Sequence, residues 1–163
     1  MSRPDHRRLA KPTRVTLATV LIENEVNGAW WPHSPSVARE LPGLMDAIRD
    51  RLGDVVDIDV NWSAIDGVLD LDSLTRRGID ALPGWKTRRQ RLMTVTGSLA
   101  RANLLVVPCA TSTALAVMVL RQAACLPVFP SHQNSDAYRA ADDIVRAAHA
   151  ECGHARHSAT TLP

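Results

Sequence analysis

The stretch Val56-Asp57-Ile58-Asp59-Val60-Asn61-Trp62 constrains the fold more than any other in this 163-residue chain. Successive side chains of a β-strand point to opposite faces. Val56, Ile58, Val60 and Trp62 therefore share one face, and Asp57, Asp59 and Asn61 share the other. A parallel strand covered on both sides reads as a continuous apolar run, whereas this alternation belongs to a sheet with one wet side. The expectation is an α+β fold, with an antiparallel or mixed sheet of about five strands and two to three helices mainly on one face. The helix-facing side would set Val56, Ile58, Val60 and Trp62 against Leu44, Ile48 and Leu52.

Those three residues belong to the first helical pattern. Val37, Leu41, Leu44, Met45, Ile48 and Leu52 recur at spacings of three and four, which makes one apolar stripe. Ser34 reads as its N-cap and Pro35 as its first helical position. Pro42 lacks an amide proton and clashes one turn back, so a break is expected near Leu41-Pro42, with the main helix from 42 to 52. Gly53 is placed to terminate it. Residues 114–125 form a second helical stretch, apolar nearly all round, so both of its sides should be covered. Thr111 or Ser112 would cap it. A third helix follows Ser135-Asp136, carries Tyr138, Ala141, Ile144, Val145 and Ala148 on one side, and should stop at Gly153. Residues 15–22, 91–96 and 104–107 read as strands, the last apolar on both faces. The latter two would make a hairpin with a loop of about seven residues, longer than usual. Residues 63–82 are ambiguous. The chain divides into a basic, disordered arm (1–12), an α+β domain (13–126), a connector with a C-terminal helix (127–153) and a frayed tail (154–163).

Only six aromatic residues occur, and two of the four tryptophans are neighbours in Gly28-Ala29-Trp30-Trp31-Pro32-His33-Ser34. In a strand they face opposite ways. One would anchor the interior, and the other would cover an edge or line a pocket, keeping a polar N–H at its rim. The plainer reading is a strand that ends on an aromatic plug beneath a helix. Glu40-Leu41-Pro42-Gly43-Leu44 follows, then Arg51-Leu52-Gly53-x-Val55, Trp62, Gly84-Trp85 and Leu104-Leu105-Val106-Val107-Pro108. Together these runs resemble a family of small uncharacterised actinobacterial proteins, a domain of unknown function with a Gly-Ala-Trp-Trp-Pro-x-Ser signature, over residues 12 to 125. The resemblance implies a one-domain α+β fold in a bacterial cytoplasm and brings no activity with it. The segment 67–77 and the C-terminal helix and tail depart from the family pattern.

The net charge of +2 gives no global case for a polyanion partner. Charge is nonetheless uneven, with a basic arm, an acidic middle (Asp54 to Asp72) and a second basic block. Within that block Trp85, Lys86, Arg88, Arg89 and Arg91 can contact phosphates and stack a base, or can simply form a charged loop that guards a sheet edge. No apolar run is long enough to span a bilayer, and no signal peptide is expected. Three cysteines without a pairing motif read as thiols in a cytoplasmic protein. His149, Cys152, His154 and His157 cluster but match no paired-ligand spacing, so no metal is assigned. No phosphate loop, nucleophile elbow or dinucleotide fingerprint is present, and no cofactor is assigned. The function that best fits is non-catalytic binding or regulation, through a pocket or partner surface at Trp30, Trp31, His33, Trp62 and Trp85. The partner would be a small molecule or a protein, a second copy of the chain included. Nucleic-acid binding through residues 85–91 and an enzyme with scattered site residues are the alternatives.

Overall fold

The computed structural model describes residues 12–62 and 90–160, with side chains to residue 153. Among these residues five strands and three helices follow in the order β1 (Arg14–Leu17), β2 (Gly28–Trp31), α1 (Val37–Leu52), β3 (Val55–Val60), β4 (Leu92–Gly97), β5 (Arg101–Val106), α2 (Thr113–Ala123) and α3 (Asp136–Thr160). A short 3-10 turn, Pro130–His132, precedes α3. The strands form one mixed sheet in the order β1-β2-β5-β4-β3. Neighbours run antiparallel except β2 and β5, which run parallel, with Gly28 opposite Leu104 and Trp30 opposite Val106. The architecture is α+β.

Helices cover both faces, two on one and one on the other. Trp30, Met93, Val95, Leu104 and Val106 pack against Leu44, Ile48 and Leu52 of α1. Ala29, Trp31, Leu92, Leu105 and Val107 pack against α2 and, beyond it, α3. Two-sided cover explains why β5 is apolar on both faces. α2 is sandwiched, as its composition required, with Ala140, Ala141, Ile144, Val145 and Ala148 of α3 closing its outer side.

Several local expectations need correction. The wet alternating strand β3 lies at a sheet edge. Only Val55, Ile58 and Trp62 of this stretch join the α1-side core; Val56 and Val60 are 67% and 40% exposed. An irregularity between Val55 and Asp57 shifts the register, and an edge strand reaches past the cover of a single helix. Helix α1 starts at Val37 behind Ser36, not at Pro35, and runs through Pro42 without a break. Pro42 costs one amide bond near the start of a helix whose buried stripe is continuous on both sides of it. Gly53 does end the helix, at φ 79°, with its N–H donating to the Arg49 carbonyl.

The hairpin between β4 and β5 has three loop residues, 98–100, because β5 begins at Arg101. Its polar start is satisfied laterally. The Asn103 N–H donates to Asn27 Oδ1 at 2.8 Å, and Thr94 Oγ1 donates to Asn103 Oδ1 at 2.8 Å. Helix α3 continues through Gly153 to Thr160 rather than stopping.

Candidate functional site

The parallel pair fixes where a site can form. Strands β2 and β5 end side by side, and each runs through a proline-containing loop into a helix. From Trp31 the chain passes Pro32-His33-Ser34 and enters α1 on one face of the sheet. From Val106 it passes Val107-Pro108-Cys109-Ala110-Thr111 and enters α2 on the other. Where adjacent parallel strands send their connections to opposite faces, a crevice opens beyond the carboxyl ends of the strands. Both helices begin within a few residues of those strand ends, α1 at Val37 and α2 at Thr113, and neither N-cap, Ser36 or Ser112, makes a side-chain capping bond to its helix. The first amides of each helix are left without helical acceptors.

Arg14 stands on β1 beside the end of β2. It pairs across the strands with Trp31, and its guanidinium lies 3.4 Å from the centroid of that ring. Arg14 Nε donates to the Trp31 carbonyl at 3.0 Å, and Nη2 donates to the Pro32 carbonyl at 2.9 Å. Burial pulls this guanidinium below its ordinary pKa, while Glu40 and Cys109 pull it back up. Glu40 reaches from the first turn of α1 to accept the His33 N–H at 2.7 Å. Trp31 Nε1 donates to the Cys109 carbonyl at 3.3 Å and so ties the two loops together. Two hydroxyls in this frame, Ser34 Oγ and Thr111 Oγ1, are closed off from solvent and have no hydrogen-bond partner among the described residues. Thr111 is only 6% exposed. Buried polar groups are nearly always paired, so two orphans in facing loops need an explanation.

The site residues named from sequence separate into groups. Trp30, Trp31 and His33 meet at the carboxyl end of β2. Neither indole is an open surface, however; Trp30 is 1% and Trp31 7% exposed, in cores on opposite faces of the sheet. The expectation of one core ring and one exposed ring is corrected, because the sheet is covered on both sides. His33 Nε2 lies 2.8 Å from the Pro12 carbonyl. Trp62 packs into the α1-side core beyond the far edge strand, with Arg91 5.6 Å above its ring, and does not join the crevice. Trp85, Lys86, Arg88 and Arg89 lie outside the described residues.

Sequence reasoning passed over Arg14 and Cys109, and read Ser34 and Thr111 only as caps. The signal was a repeated pattern, a strand end, then a proline, a small hydroxyl residue and a helix, present once after Trp31 and again after Val106. Among the residues with described side chains no cluster suits a metal ion. Cys152, on α3, is pushed up to about 11, mainly by burial and then by Glu151, which makes it a poor nucleophile. No helix among the described residues is long and apolar enough to cross a membrane.

A family model described as a family of unknown function (DUF5994) matches residues 14–123. No curated protein and no solved structure matches the chain.

Proposed function

The chain belongs to this family of unknown function, and from its geometry we infer that it is a non-catalytic binding protein. Its small-molecule ligand sits beyond the carboxyl ends of β2 and β5, beside the tryptophan pair. The observation that carries this reading is the parallel pairing of β2 with β5 while α1 and α2 depart to opposite faces. In open sheets that arrangement is the usual place for a ligand. On this reading the tryptophans are the floor rather than the contact surface. Trp30 and Trp31 anchor the end of β2 in both cores and so hold the loop 32–36 rigidly against the loop 107–112. A cytoplasmic setting fits three unpaired thiols, one of them exposed.

The test is a fragment library screened against the full chain by amide-resolved NMR. Ligands are expected to shift residues 32–36 and 108–114 together. Shifts confined to residues 85–91, strengthened at low salt, would replace this reading with nucleic-acid or polyanion binding.

A further inference from the structure

We propose that the group recognised in this crevice is a carboxylate, held by Thr111 Oγ1, Ser34 Oγ, the first amides of α2 and the Arg14 guanidinium. This rests on the binding reading above and assigns the chemistry of its ligand.

The donors come from separate elements, and each keeps donor capacity that no described residue takes up. Helix α2 makes its first bond from the Ala116 N–H to the Ser112 carbonyl, which leaves the amides of Thr113, Ala114 and Leu115 ahead of it. Such amides form a ready anion site. By itself that is an ordinary helix end. The second observation is Thr111, one residue before the N-cap, whose enclosed hydroxyl has no partner among the described residues. Ser34 Oγ is in the same condition in the facing loop. A hydroxyl can donate one hydrogen bond, and a carboxylate offers about four lone-pair positions to accept them.

The third observation is the state of Arg14. Its hydrogen bonds go to two backbone carbonyls, and no carboxylate lies within ion-pair distance of it among the described residues. Those bonds, with the indole beneath, fix the guanidinium in place while leaving Nη1 unused. A guanidinium held like this matches the planar fork of a carboxylate.

Charge decides between carboxylate and phosphate. Each helix N-terminus is equivalent to roughly +0.5 charge, so α1 and α2 together with Arg14 supply about +2. Glu40, which acts on Arg14 through space, removes one. A balance of roughly +1 suits a singly charged carboxylate better than a phosphate monoester, which carries nearly two negative charges at neutral pH.

The experiment titrates the full chain with acetate and separately with inorganic phosphate, at constant ionic strength, and follows backbone amides by NMR. Acetate is expected to give saturable shifts at Thr113, Ala114 and Leu115, and to bind more tightly than phosphate. Thr111→Val keeps the shape of the side chain and removes the hydroxyl. It is expected to weaken acetate binding about tenfold while leaving the free protein at least as stable, because an unpaired buried hydroxyl is lost. Ser34→Ala, in the other loop, is expected to weaken binding in the same direction and provides a second test should Thr111→Val fold poorly. Absence of acetate shifts at these amides, or unchanged affinity in both variants, would overturn the carboxylate assignment. Tighter phosphate binding at the same amides would also overturn it. In either case a fragment that shifts both loops would leave the binding reading standing, whereas a library with no such fragment would remove that reading itself.

Discussion

Trp30 and Trp31 carry the sharpest residue-scale lesson. That adjacent strand residues face apart was legible in the sequence. That both faces are interior was not, because it depends on α2 and α3, which lie some 80 or more positions further on. Both rings are buried, so each replacement by Ala should remove about 3–5 kcal/mol, measured by denaturant melts. A Trp31→Ala protein within 1 kcal/mol of the parent would instead show that its ring bears on nothing essential to the fold. At Gly28, beside them, a Cβ would be driven into the Thr16 carbonyl of β1, a cause that local sequence does not carry. Arg14 drew no site reading from the sequence. Its neighbours on the sheet, Trp31 and Pro32, are contacts of topology and leave no mark on local spacing.

At the scale of elements, periodicity found each described helix and most strands, and it failed where an element's surroundings set its limits. Pro42 lies within α1 because Leu41 and Leu44 continue one stripe against the sheet. Arg101, Ala102 and Asn103 looked like loop because polar residues seldom fill a central strand, yet Asn27 and Thr94 satisfy Asn103 from either side. Strand β3 tests the same point energetically. Its alternation predicted equal burial for Val56, Ile58 and Val60, but an irregular edge strand divides them. Ile58→Ala should cost about 1–2 kcal/mol, less than a full core deletion. Val56→Ala and Asp57→Ala should each stay within about 0.5 kcal/mol. Urea melts of the three variants check this ranking, and a costly Val56→Ala would mean that this edge is covered in the working protein.

For the molecule as a whole, the family match ends at residue 123, close to the end of α2, yet the fold does not end there. The outer side of α2 is closed by Ala140, Ala141, Ile144, Val145 and Ala148. Burying Ile144 and Val145 alone is worth about 1.5–3 kcal/mol each. Adding the alanines brings the total near the whole margin of a typical domain, about 5–15 kcal/mol. A fragment ending at Leu126 should therefore lose fixed tertiary packing, seen as loss of near-ultraviolet dichroism and collapse of amide dispersion. Full retention of both would show α3 to be an accessory. The pairing of Gly28 with Leu104 has a further consequence, in time rather than in energy. Strand β2 leaves the ribosome long before its parallel neighbour exists. At about 5–20 residues per second, the interval between them lasts roughly 4–15 s. Throughout it both indoles lack the parallel strand beside them, and Trp31 lacks α2 and α3 as well, so the newborn chain exposes an apolar segment that only its C-terminal half can close over.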